Sequence, residues 1–195
     1  METNTQIHLQ AATVQDESVL WLMLTFAAWM ESGGEEQIAQ ARSDPYLSTY
    51  VSGWGARKGD LGVIARDGIG EVLGAAWLRL GGADGPFNLG EKQVPELATA
   101  VVPQARRRGV GSAMMKHLIE LARPCYPRII LSVREENPAV LFYSKLGFRE
   151  VSRMENRVGG SSLVMTMDLG HAAQEQDSVG GIQKTCSMHG AAALH

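Results

Sequence analysis

The sequence predicts an α/β domain of the mixed α+β kind, and three observations predict it. Residues 95–148 read as strand, glycine turn, helix, strand, turn and helix in close succession. Residues 61–80 hold two apolar runs joined by Asp67-Gly68-Ile69-Gly70, which is the pattern of a hairpin. Ahead of both, residues 19–30 carry apolar side chains recurring at three and four, as a helix with one buried face requires. At 195 residues the chain is long enough for one domain with a real core. That domain is expected over residues 1–170.

In chain order, Ile7 and Leu9 alternate in a short first strand, Ile7 to Ala11. Thr13 then suits the cap of a helix, with Asp16 and Glu17 placing negative charge in its first turn. The helix runs through Val19, Leu20, Leu22, Met23, Phe26, Ala27 and Met30 to a stop at Ser32-Gly33-Gly34. A turn or two of helix follows over Gln37 to Arg42, and Asp44-Pro45 breaks it. Tyr46, Leu47, Tyr50, Val51 and Trp54 then recur at helical spacing. The aromatic residues of this group fit two roles, lining a pocket or packing the segment on a sheet.

After the hairpin comes a glycine-rich loop, Gly81 to Gln93, long enough to be functional or mobile. Pro95 to Val102 is a short apolar run closed by Pro103, and Val110 to Arg123 has a helical pattern with Met114, Leu118 and Leu121 on one side. Arg128 to Val133 reads as a strand. Asn137 and Pro138 suit the start of a short helix and Gly147 the left-handed residue past its end. Phe148 to Met154 and Ser162 to Leu169 complete the strands, turning at Gly159-Gly160-Ser161. Beyond Gly170 periodicity is lost, and residues 171–195 are expected to be a flexible extension.

Composition narrows the function classes. With 45% hydrophobic and 20% charged residues the chain is neither disordered nor a repeat protein. A net charge of −3 gives no general reason to expect nucleic acid as a partner. The basic residues nonetheless gather around one turn, with Arg106, Arg107, Arg108, Lys116, His117, Arg123 and Arg128, which suits a local anion site. The longest apolar run, Val19 to Met30, is too short to span a bilayer and follows acidic residues, so no membrane association is expected. Cys125 and Cys186 lie far apart and lack the neighbours of a metal or redox motif. Free thiols, a reducing compartment and a cytoplasmic location are expected. No clustering of ligand residues suggests a metal.

The stretch with chemistry in it is Arg106-Arg107-Arg108-Gly109-Val110-Gly111-Ser112, set between a strand end and a helix start. Such a turn aims several backbone N–H groups at one point and adds the helix dipole, a combination suited to phosphate. Its Arg-x-x-Gly-x-Gly spacing, the preceding Val101-Val102-Pro103, and the downstream Asn137, Ala139, Tyr143 and Lys145-Leu146-Gly147-Phe148 together resemble the GNAT superfamily of N-acetyltransferases. Two motifs in this order, a helix and a strand apart, are far more specific than one glycine turn. The likeness is clear over about residues 95–150 and rests on element order elsewhere.

The resemblance implies a central mixed, mostly antiparallel sheet of six or seven strands flanked by about four helices. It implies acetyl-CoA as donor and a primary amine of a small molecule, peptide or protein as acceptor, joined by direct attack in a ternary complex. Coenzyme contacts would come from Ala100, Val101 and Val102 along the strand, from Arg106 through Ser112 at the pyrophosphate, and from Asn137. The Val101 N–H would face the thioester oxygen. Tyr143 would serve the departing thiolate as proton donor, and Glu96 would be the base that takes the ammonium proton. Glu96 also fits a solvated strand-edge carboxylate, and Asn137 a plain helix cap. A non-catalytic acyl-CoA-binding module is the alternative function, and monomer and homodimer are both compatible with it.

Overall fold

The computed structural model of this chain describes residues 6–28, 30, 34–81, 94–155 and 159–170. In order the elements are β1 (His8–Ala11), α1 (Glu17–Ala27), α2 (Glu35–Ser43), α3 (Pro45–Ser48), β2 (Leu61–Arg66), β3 (Val72–Leu80), β4 (Pro95–Val101), α4 (Val110–Ala122), β5 (Arg128–Arg134), α5 (Ala139–Leu146), β6 (Arg149–Glu155) and β7 (Ser161–Asp168). The strands form one seven-stranded sheet in the order β1-β2-β3-β4-β5-β7-β6. Every neighbouring pair is antiparallel except β4 and β5. The expected mixed sheet is therefore present, with five helices among the described residues, α3 being a single turn. The expected loop, from residue 82 on, and the expected extension over 171–195 lie outside the described residues.

Alternation along β2, β3 and β4 sorts the core into two layers. Val63, Ala76, Leu78 and Leu97 face α4, where Met114, Met115 and Leu118 are fully buried. Ile64, Ala75, Trp77, Ala98 and Ala100 face the other way, onto Leu20, Trp21, Met23 and Leu24 of α1 and onto Val51 and Trp54. Two aspartates close the turns that open the helices on this second face. The Asp16 carboxylate accepts from the Thr13 N–H at 2.8 Å and from its hydroxyl at 2.9 Å. The helix itself begins one short turn later than the cap suggested, at Glu17. Asp44 ends α2 and starts α3 at once, its carboxylate accepting from the Tyr46 and Leu47 N–H groups at 2.8 and 3.0 Å.

One expectation is corrected: Cys125 is disulfide-bonded. Separation in sequence says nothing of distance in space, so the cysteine argument for a reducing compartment falls. Cys186 lies outside the described residues.

Gly74 of β3 stands where a side chain has no room. A Cβ there would stand 2.6 Å from the Ala100 carbonyl oxygen and 2.9 Å from the Met114 methyl, so backbone would have to move. Gly74→Ala is expected to destabilise the fold by about 1–3 kcal/mol, the usual cost of overpacking. Urea unfolding checks this, and an unchanged midpoint would show that the two strands part freely.

Candidate active site

The glycine turn has the geometry the sequence suggested. Arg107 and Gly109 both take positive φ, 60° and 82°, and between them reverse the chain. A Cβ at Gly109 would meet nothing within 4 Å, so it is the left-handed backbone, not lack of room, that favours glycine there. The first helical bond of α4 runs from the Ala113 N–H to the Gly109 carbonyl at 3.0 Å. The N–H groups of Val110, Gly111 and Ser112 therefore precede any acceptor within the helix and point out of its positive end. A Cβ at Gly111 would lie 3.5 Å from Phe142 and 3.6 Å from Val101, ordinary contact distances. The turn, the end of β4 and α5 thus meet at one place.

β4 meets β5 through a single parallel pair, Glu96 with Ile130. Beyond it no further pair forms, and the strands diverge toward the turn. The Val102 N–H bonds to the Leu73 carbonyl at 3.0 Å, which sets the parity of the ladder: even-numbered residues of β4 turn their backbone to β3 and odd-numbered ones to the gap. Of the three strand residues singled out, Val101 offers its backbone to the gap, while Ala100 and Val102 are engaged with β3. Thr99, which sequence reasoning did not single out, offers its backbone on the same side as Val101. The Val101 carbonyl accepts from Arg106 Nε at 3.2 Å, which folds the first arginine of the turn back toward the strand.

On α5, Asn137 performs the capping role directly. Its side-chain oxygen accepts from the Ala139 N–H at 2.8 Å, leaving the amide NH2 as its donor. Tyr143 is buried between Phe142 and Phe148, its ring centroid 5.4 and 5.7 Å from theirs. Burial alone raises its hydroxyl pKa well above the ordinary tyrosine value.

Glu96 lies in β4 on the α1 face of the sheet, half-buried. Desolvation raises its carboxyl pKa to about 7, and hydrogen bonds from Tyr50 and Tyr46 oppose the rise without cancelling it. The Tyr50 hydroxyl donates to the Glu96 carboxylate, and the two tyrosine hydroxyls lie 2.9 Å apart. Trp54 packs in the core, and Tyr46 and Tyr50 reach the acid. Their spacing was visible in the sequence, but their target was not. Among the described residues no group of three or more His, Cys, Asp or Glu is arranged to hold a metal ion, and no helix is long and apolar enough to cross a membrane.

The parting strands, the glycine turn and helix N-terminus at one end, and a carboxylate of raised pKa further along the same strand lie together as one candidate site. Residues 22–148 match the acetyltransferase (GNAT) family, and the chain belongs to that family. Solved structures agree in fold. A candidate acetyltransferase of Acinetobacter baylyi ADP1 superposes with a TM-score of 0.66 at 17% identity, over 90% of this chain and 100% of that one. A GNAT-family acetyltransferase of Streptococcus pneumoniae gives 0.60 at 16%, over 85% and 100%. A phosphinothricin acetyltransferase of Sinorhizobium meliloti, solved with acetyl-CoA, gives 0.59 at 18%, over 87% and 92%.

The raised value of Glu96 has a consequence for stability. Its pKa is about 7 in the fold against 4.5 for an ordinary glutamate. The folded protein therefore holds the proton more tightly, and ionisation costs stability. That cost is absent at low pH, grows from 4.5 to about 7 and is complete above. Glu96→Gln removes it, so the melting temperature of the variant relative to the parent is expected to rise between about pH 5 and pH 8. A difference that does not vary with pH would place Glu96 in a water-like setting.

Proposed function

We propose that this acetyltransferase moves the acetyl group of acetyl-CoA to a primary amine, on a small molecule or a peptide, by direct attack in a ternary complex. The observation that carries the reading is the opening between β4 and β5, which puts the odd-numbered backbone groups of β4 in line with the N–H groups at the start of α4. The pyrophosphate sits at Val110 to Ser112, with Arg106, Arg107 and Arg108 beside it and the left-handed Gly109 shaping the turn. The pantetheine arm pairs along β4 as an added strand, with Val101 as a partner and the Asn137 amide NH2 as a donor from the other side. The acetyl-CoA held by the Sinorhizobium meliloti relative supports the choice of donor.

The amine nitrogen attacks the thioester carbonyl carbon, the C–N bond forms and the C–S bond breaks. Glu96 takes the ammonium proton through water, and a pKa near 7 suits a base at neutral pH. Strand geometry supports one choice of the N–H that stabilises the carbonyl oxygen. At about 3.3 Å per residue, Val101 lies roughly 17 Å from Glu96 along β4, and Thr99 roughly 10 Å. One water bridges only the shorter span once the glutamate side chain and the substrate are in place, so the oxygen is assigned to the Thr99 N–H and the pantetheine to Val101. Tyr143 stays protonated, its pKa raised far above that of a thiol. It therefore stabilises the departing thiolate as a hydrogen-bond donor more than by giving up its proton.

Acetyl-CoA is expected to raise the melting temperature, and adenosine to do so far less. A Cβ fits at Gly111, so Gly111→Val is expected to fold, but its second branch enters the passage between Val101 and Phe142 and abolishes the shift. A full shift in that variant would move the donor elsewhere.

Turnover is tested with an amine panel and a thiol-release assay. Tyr143→Phe is expected to lower kcat about 10²-fold with donor binding kept. In Glu96→Gln, the acid limb of the kcat/KM profile near pH 7 is expected to vanish, and the deficit to shrink toward the amine's own pKa. Donor binding without thiol release from any amine would favour a binding module, and a constant deficit would give Glu96 a positioning role.

A further inference from the structure

Directly across the ladder from Glu96 stands Arg79, its register partner in β3. Paired residues in an antiparallel ladder project from the same face with Cβ atoms about 5 Å apart. A guanidinium in that place would ordinarily close on the carboxylate and hold it ionised. Here it does not. Arg79 is 3% exposed, and each of its five N–H donors is already spent. Nε and NH2 bind the two Asp60 oxygens, both at 3.0 Å. NH1 donates to the carbonyls of Thr49 and Ser52 at 3.2 and 2.9 Å, and NH2 to that of Gly53 at 3.0 Å. Asp60 is equally enclosed, accepting also from the Gly55 N–H at 2.9 Å.

The same contacts reach Glu96 from the other side. The three carbonyls belong to the segment that carries Tyr50, whose own carbonyl accepts from Trp77 Nε1 at 3.0 Å. Trp77 and Arg79 thus pin that segment from adjacent positions of one strand face, and Tyr50 is held where its hydroxyl meets Glu96. We propose that Asp60 and Arg79 are positioning residues for Glu96: Asp60 withholds the cross-strand guanidinium from that carboxylate, and the guanidinium in turn fixes the segment that lays Tyr50 on it.

The charges around Glu96 agree. Among the described residues, the α3 segment presents Tyr46 and Tyr50, β3 presents Arg79 with Asp60 behind it, and the neighbours on β5 and β7 are Ile130 and Val164, which carry none. Arg57 and Glu17 act on Arg79 and not on Glu96. An ion pair whose attraction for the base is fully engaged elsewhere leaves the base free to exchange a proton near neutral pH.

The inference rests on Glu96 as base for its catalytic meaning, so its test reads the Glu96 titration itself, by NMR of the full-length protein with 13C-labelled glutamate carboxyls, alongside the acid limb of kcat/KM. Glu96→Gln assigns the resonance. In Asp60→Asn the guanidinium loses its counter-charge and turns to Glu96, so the Glu96 midpoint is expected to fall by about one to three pH units, and Asp60→Glu to restore it toward 7. Asp60→Asn leaves a buried arginine unpaired and is the variant at risk of not folding. Asp60→Asn combined with Arg79→Met buries no charge. In it the segment loosens, Tyr50 leaves, and the midpoint is expected to move upward instead. Opposite shifts in the two variants bear the proposal out, and an unmoved midpoint in either folded variant overturns it. A moved NMR midpoint with no matching change in the rate profile would keep the positioning and remove Glu96 from the base role.

Discussion

The single parallel pair between Glu96 and Ile130 governs the rest of the molecule. Had β4 and β5 continued to pair, every backbone group of β4 would be satisfied within the sheet and the strand would offer nothing to a ligand. Because they part, one edge of a central strand is left open in the middle of a covered sheet. The exposed N–H groups are presented in a register that β3 fixes from the other side. Gly74 and its close approach to the Ala100 carbonyl are part of that fixing, since a side chain there would push β4 out of line.

Around this opening the two faces of the sheet divide the labour. The α4 face is tightly packed with methionine and leucine, and it brings the glycine turn, Val101 and Phe142 into contact. The α1 face adds aromatic and polar groups to its aliphatic packing, with Trp77, Arg79, Asp60 and the tyrosines on the side of Glu96. On the function proposed, donor binding belongs to the gap and the first face, while handling of the amine proton belongs to the second. The division follows from strand parity: alternate residues of β4 turn their backbone to the gap and to β3, and successive side chains go to opposite faces.

Arg79 illustrates how a buried charge is accommodated. It has no water to turn to, and its desolvation is offset by a carboxylate and three carbonyls in one planar fork. The carbonyls come from the turns after α3, a segment short of regular structure, and that of Gly53 accepts from the Ala56 N–H as well, at 3.2 Å. One side chain thus organises a loop. Its stack near the Trp54 ring, 5.7 Å from the centroid, closes the arrangement against the core.

The sequence alone determined the local elements and the motif. Glycine at 109, 111 and 147, proline at 103 and 138, and Asn137 have conformational preferences that act within a few residues, and the structure places them as turn, strand end and cap. The helical spacing of Leu20 through Phe26 and the hairpin at Asp67 are local in the same sense. Tertiary structure alone decided which groups meet. That the Glu96 base candidate lies under Tyr50, forty-six positions earlier, depends on how the α3 segment crosses the sheet. That Thr99 and Val101 face the gap, while Ala100 and Val102 do not, depends on a register set by β3. Arg79 stands within the apolar run of β3, and Asp60 comes beside it only when β2 and β3 lie side by side. Short-range preferences are written in adjacent residues. Long-range pairings are written in packing, which joins positions that the order of the chain keeps apart.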